Sequence, residues 1–195
     1  MKVFTFMEDN PIRNVEALIK EIAEGLNPKY LFFWGHQLLN DDQIGKQCLS
    51  QWWDEKFIVD GITYPSAEHY MMAQKAKLFG DKPTYQKILS VPHPSVAKRF
   101  GRTVVGFDET VWTQNRYDIV IRGNEAKFTQ NEVLKKFLLN THTRILVEAS
   151  PVDKIWGVGL AENDQRIYHP EKWRGLNLLG FALMEVRYHI QRQSV

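Results

Sequence analysis

The sequence predicts an α+β protein, rich in helix and carrying a small β-sheet, and three observations lead there. Apolar residues recur at three and four residue spacing in several separate segments, the period of a helix with one buried face. Short aromatic or β-branched runs bounded by turn residues supply a few strands. No repeat, low-complexity tract or Pro/Gly/Ser linker divides the 195 residues, of which 44% are hydrophobic, so one globular domain with a sizeable core is expected.

Taken in order, Ile12, Val15, Leu18, Ile19 and Ile22 follow Pro11 on one helical face and Gly25 closes the run, predicting an amphipathic helix over residues 11–25. Tyr30 to Trp34 is a short aromatic run after Pro28 and reads as a strand. Between Lys56 and Tyr64, Asp60-Gly61 separates FIV from ITY, a hairpin signal because such a pair accepts the positive φ angles of a tight turn. Pro65 opens PSAEHYMMAQKAKLFG, rich in helix formers and closed by Gly80, which predicts a helix over 65–79. Further helices are predicted at 81–89, 94–100 and 108–126. Thr129 with Glu132 matches a capping box ahead of VLKKFLLNT, predicting a helix from 130 to about 140. Ile145 to Ala149 reads as a buried strand. The polar, glycine-bearing stretch from Ser150 to Gly175 reads as a long loop; such loops are commonly functional or disordered, and its Trp and Ile content argues against disorder. The run NLLGFALMEVRYHI predicts a closing helix over 176–191.

Composition removes several function classes. Lys plus Arg number 25 against 23 for Asp plus Glu, and a net charge of +2 supplies no strong attraction to nucleic acid or membrane, so any basic site has to be local. The single Cys48 cannot form an internal disulfide, and MKVFTFMEDNPIRN lacks the pattern of a secretory signal, so a cytoplasmic protein is expected. Charged residues interrupt every apolar stretch well short of the roughly 18 to 20 residues that span a bilayer. His36, His69, His93, His142, His169 and His189 show no HxxxH spacing and there is no CxxC, so no metal site is expected. The absence of GxGxxG and GxxxxGK[ST] argues against the dehydrogenase and kinase readings.

What remains is a small set of chemistry-bearing residues. Glu68, Met72, Lys75 and Phe79 share one helical face, a mixture that is unusual for a plain core and that also fits a partly solvated helix edge, with Glu68 at the favourable positive end of the helix dipole. Cys48 has no nucleophile signature around it and reads as a small buried side chain. Gly157 and Gly159 in WGVGL either admit a phosphate to the backbone or permit a turn, and the pair alone favours the turn. Trp34, Trp52, Trp156 and Trp173 fall in loops or strand ends, where each offers a stacking surface for a planar base or is buried under the long loop.

FFWGH at 32–36, LSQWW at 49–53, VDGITYPSAEHYMMAQKAKLFGD at 59–81, GRTVVGFD at 101–108, RGNEAKFTQN at 122–131, LVEASPVDKIWGVGL at 146–160 and WRGLNLLGFALMEVR at 173–187 form one ordered pattern. Through it the chain resembles the YbiA-like, or NADAR, family over roughly residues 30–190. The resemblance implies a YbiA-like fold, with residues 1–28 an N-terminal helical extension and 29–195 the catalytic domain. It implies an N-glycosidase that cleaves the ribose C1 to nitrogen bond of ADP-ribosylated guanine, in nucleic acid or nucleotide, or of phosphorylated ribosylamino-pyrimidine intermediates of riboflavin synthesis. Residue by residue, Glu68 matches the family's key acidic position, Asp153, Trp156 and Gly157 match its DxxWG segment, and Lys75, Lys127, Asn177 and Gly180 lie in its QKA, AKF and NxLG segments. LSQWW departs from many relatives, which carry Asn and Phe after the Ser, so the contacts made by Gln51 and Trp52 do not carry over directly.

The residue types suit that chemistry. Breaking the bond builds positive charge on the sugar, which a carboxylate stabilises while a base activates water. Glu68, ionised in a first helical turn, fits the base or electrostatic role, and Asp153 is the candidate second carboxylate. Lys75, Lys127, Arg102 and Arg122 are candidates to pair with phosphate or pyrophosphate, and Trp156 or Trp52 to stack on the base. No metal or redox cofactor is required. Three readings stand at this level: an N-glycosidase, a non-catalytic module binding ADP-ribose or an NAD-related nucleotide, and a structural protein with an aromatic-rich core.

Overall fold

The computed structural model of the protein describes residues 12–36 and 44–193. In chain order its elements are helix α1 (Val15–Ala23), strand β1 (Tyr30–Phe33), a 3-10 turn (Lys46–Leu49), strands β2 (Phe57–Val59) and β3 (Ile62–Tyr64), and helices α2 (Ala67–Leu78), α3 (Lys82–Ser90), α4 (Pro94–Gly101), α5 (Glu109–Gln130) and α6 (Glu132–Leu139). Strand β4 (Ile145–Glu148), two 3-10 turns (Gln165–Tyr168 and Pro170–Lys172) and helix α7 (Leu178–Gln193) complete the described fold. It is helix-rich with little sheet, as the sequence predicts; the predicted helix start at Pro11 lies outside the described residues.

Side-chain caps explain most of the helix starts. Asn14, Ser66, Asp81 and Asp108 each accept a first-turn backbone N–H, satisfying donors that have no partner inside the helix. The start of α6 corrects the capping-box reading. Asn131, in extended conformation, ends α5 and caps α6 by accepting from Val133 and Leu134 N–H at 3.0 Å, whereas the Thr129 hydroxyl donates to the Glu125 carbonyl within α5.

Contacts sort the chain into two units, with no linker composition at the divisions. Gly35 to Asn140 form one. Its hairpin pairs Phe57 with Tyr64 across a turn in which Asp60 and Gly61 take φ of 53° and 76°. The Gln130 side chain donates to the Ile58 carbonyl and accepts from its N–H at 2.7 and 2.8 Å, standing in for a strand beside β2. Helix α2 is buried over most of its surface and packs on α3, α4 and α5. Gly123 on α5 lets Tyr70 of α2 approach so closely that a Cβ there would lie 2.4 Å from the ring.

Of the described residues, 12–34 and 141–193 form the other unit. Here β1 and β4 pair in parallel from Tyr30 against Ile145 to Phe33 against Glu148, and α7 packs on β4. Leu18 is the residue that α1 buries. Tyr30, Phe32, Tyr168 and Trp173 form an aromatic cluster with ring centroids 5.1 to 6.4 Å apart.

Candidate functional site

Glu68 occupies the first turn of α2 and is 2% exposed, so the solvated-edge reading fails at the Glu68 end of this face, while Lys75 and Phe79 at its other end are half-buried. Two contacts fix that turn. Ser66 caps the helix and its hydroxyl lies 2.8 Å from His69 Nδ1, while His69 Nε2 lies 3.0 Å from the Val91 carbonyl. A carbonyl only accepts, so Nε2 carries the proton and Nδ1 accepts from the Ser66 hydroxyl. Burial pushes His69 below its usual value, in keeping with a neutral ring. The second contact is the Glu68 N–H, which donates to the Gln51 carbonyl at 2.9 Å.

The Gly35–Asn140 unit also holds several other predicted residues. Lys127 is fully buried and donates to the carbonyls of Cys48 (2.6 Å) and Ser50 (2.9 Å), and burial pushes its ammonium down to about 8. Cys48 is buried as expected, its thiol pushed up to about 12 by burial. Trp52 is half-buried, with the His36 ring 5.5 Å and the Lys98 ammonium 5.7 Å from its ring. Lys75 lies over the rings of Phe107 (4.0 Å) and Trp112 (5.5 Å), and burial lowers its proton affinity against the opposing charge of Glu109. Arg102 ends α4, is exposed, and has no carboxylate in salt-bridge range among the described residues. Arg122 is engaged elsewhere: it donates to Asp60 at 2.7 Å, fastening the hairpin turn to α5.

In the other unit, Asp153, Trp156, Gly157 and Asn177 gather at the carboxyl end of β4, the end at which parallel sheets offer ligands a loop-lined crevice. Asp153 Oδ1 accepts from the N–H groups of Ile155 and Trp156 at 2.9 and 2.8 Å, folding the DxxW segment on itself. A Cβ on Gly157 would lie 2.8 Å from the Glu148 carbonyl, so the glycine permits close packing on the strand end. Asn177, at φ 52°, accepts from the Glu148 N–H and donates to the Leu146 carbonyl, completing the edge of β4 with its side chain. A Cβ on Gly180 would lie 2.0 Å from that same carbonyl, so the Asn and Gly of NxLG answer one packing demand.

Of the tryptophans, Trp34 is 58% exposed, Trp52, Trp156 and Trp173 are half-buried, and Trp53 and Trp112 are core. Sequence reasoning missed Gln51 and Asn124, whose side chains bond at 3.1 Å, and Glu148, at the end of β4. The departure at LSQWW was a signal for the first; the second and third lie inside the segments RGNEAKFTQN and LVEASPVDKIWGVGL, and no role was carried over to them. Among the described residues, no group of three or more His, Cys, Asp or Glu is placed to hold a metal ion, and no helix is long and apolar enough to cross a membrane.

Comparison with known proteins adds an independent finding. The NADAR domain family profile matches residues 32–191. The chain is 45% identical over 170 residues to N-glycosidase R617 of Acanthamoeba polyphaga mimivirus, covering 84% of this chain and 98% of that protein. It is 35% identical over 129 residues to N-glycosidase YbiA of Escherichia coli strain K12, covering 66% of this chain and 72% of that one. The solution structure of E. coli YbiA superimposes with a TM-score of 0.69 at 28% identity, over 87% of this chain and 89% of that one. A chloroplastic maize protein named for riboflavin biosynthesis, PYRR, is 36% identical over 139 residues, which is 67% of this chain and 20% of PYRR.

Proposed function

The chain belongs to the NADAR domain family, and from that membership we propose how it works. It is an N-glycosidase, a hydrolase acting on N-glycosyl compounds. The substrate we assign is an ADP-ribosylated guanine, in nucleic acid or as a nucleotide, cut between ribose C1 and the base nitrogen. The observation that carries the reading is Glu68, a carboxylate 2% exposed in the first turn of a helix. Taking a carboxylate that far out of water is costly, and ionisable groups held in such surroundings cluster at functional sites.

In the reaction the water oxygen bonds to C1 as the C1–N bond breaks, the departing nitrogen gains a proton, and free base and a ribosyl product with an anomeric hydroxyl are released. Glu68 faces the positive charge that grows on the sugar and accepts the proton of the attacking water. Asp153 is the second carboxylate we assign, with Oδ1 held by its own loop. Trp52, flanked by Lys98 and His36, and Trp156 are the stacking surfaces, and Arg102 and Lys75 the cations for phosphate. Residues from 29 onward carry this activity and 1–28 extend it. Lys98 beside Trp52 supplies a further cation for a substrate phosphate. A riboflavin-pathway ribosylamino-pyrimidine 5′-phosphate is the second reading, favoured by the likeness to PYRR.

Incubating wild type and Glu68→Gln with an ADP-ribosylated guanine oligonucleotide and with a ribosylamino-pyrimidine 5′-phosphate, and following released base by mass spectrometry, tests the assignment. Guanine release by wild type and not by the variant is expected. Release from the pyrimidine alone selects the second reading. Saturable binding with both substrates intact makes the protein a nucleotide-binding module.

A further inference from the structure

We infer that Lys127, Gln51 and Asn124 are positioning residues that hold Glu68 in its working place, and that Lys127 grips the protein's own backbone in place of a substrate phosphate. This rests on the role proposed for Glu68.

The geometry is a strap. Residues 48–51, the last two of the 3-10 turn and the two that follow, pass between α5 and the start of α2, held at three points from the α5 side. Two are the Lys127 bonds to the Cys48 and Ser50 carbonyls. The third is Gln51, 6% exposed, whose Nε2 donates to Asn124 Oδ1 at 3.1 Å. Asn124 in turn donates from Nδ2 to the Val120 carbonyl at 2.8 Å, which orients its amide so that the oxygen faces Gln51. Asn124 and Lys127 are three residues apart on α5 and therefore neighbours on one face.

On its other side the strap meets α2 where the Glu68 N–H donates to the Gln51 carbonyl. That N–H is among the first-turn donors that have no acceptor within their own helix, so the strap satisfies a group that would otherwise be buried without a bond. Moving the strap moves the main chain that bears the carboxylate. A shift of about 1 Å in a catalytic group costs on the order of 100-fold in rate.

The chemistry of Lys127 decides against a phosphate contact. A desolvated ammonium needs every bond it can make, and two of its three donors are already on carbonyls at short range. A phosphate reaching it would have to displace the strap.

The test uses Gln51→Met and Lys127→Met in the full chain, each keeping an unbranched stem while removing the donors. Turnover of the ADP-ribosylated guanine oligonucleotide is expected to fall ~10- to 100-fold in kcat with KM within about threefold of wild type. Hydrogen exchange read by NMR at the Glu68 amide is expected to accelerate at least ~10-fold while amides in α6 keep their wild-type rates. The exchange readout needs no activity, so it stands even where wild type cleaves neither substrate and the reading of Glu68 itself fails. Gln51→Met removes only one side-chain bond and serves where Lys127→Met does not fold. Unchanged exchange at Glu68 overturns the inference, as does a rise in KM of ~10-fold or more with kcat intact in Lys127→Met, the behaviour of a phosphate ligand.

Discussion

Glu68 and Asp153 are both carboxylates in family motifs, yet the structure uses them in opposite senses. Glu68 is placed through its main-chain N–H, by a strap anchored on a neighbouring helix, and its side chain is buried in the first turn of α2. Asp153 places its own main chain: its Oδ1 gathers two N–H groups of the loop that follows β4. One motif carboxylate thus has its main chain held by a neighbouring segment, and the other holds the main chain around it.

The strongest test of this contrast is Glu68→Gln, expected to lower turnover by ~10²- to 10⁴-fold with affinity within a few-fold, read from base release and ligand titration. On the other side, Asn177→Ala should cost ~2 to 4 kcal/mol in denaturant unfolding, since it orphans a donor and an acceptor of β4. Asp153→Ala should cost about 1 kcal/mol as a lost cap, and Asp153→Asn, which keeps an acceptor for the loop, less. Turnover by Asp153→Asn then decides whether the contrast stands: a loss near 100-fold makes Asp153 a second reacting carboxylate.

Acid should act on the Glu68 side through His69. Burial, the largest cause, holds this ring below its ordinary 6.5, with the Val91 carbonyl and Asp54 opposing and His93 reinforcing. A folded state that resists protonation is fully stabilised above the unfolded value, and loses stability as pH falls through 6.5 toward the lower folded value. Melting temperature followed from pH 7.5 to 5 should fall, and His69→Gln should flatten that part of the curve. The smallest effect expected is from Arg122→Ala. Its pair with Asp60 is half exposed at both ends, so the loss should stay within about 0.5 kcal/mol, with turnover unchanged.

Local chemistry makes much of this legible in the amino-acid sequence. The Asp60-Gly61 turn, the Ser66 cap ahead of Glu68 and the closing apolar helix each depend on residues within a few positions of one another. The capping-box reading at Thr129 fails for the same reason in reverse: a better cap, Asn131, stands two residues away, and the hydroxyl finds a partner inside α5. Asn177 is marked by its motif, but its work on the edge of β4 is not, because Leu146 lies 31 positions earlier.

Short-range properties of the chain, namely propensity and capping, are enough to establish the helix-rich α+β class and a carboxylate in the first turn of α2, and the family follows from the likeness of its ordered motifs to known proteins. Which polar side chains serve the backbone is settled by packing alone. Lys127 meets carbonyls 77 and 79 positions away, and Gln51 meets an amide 73 positions away. A buried cation or amide is fixed by whatever acceptors packing brings to it, and residue type alone cannot say which those will be.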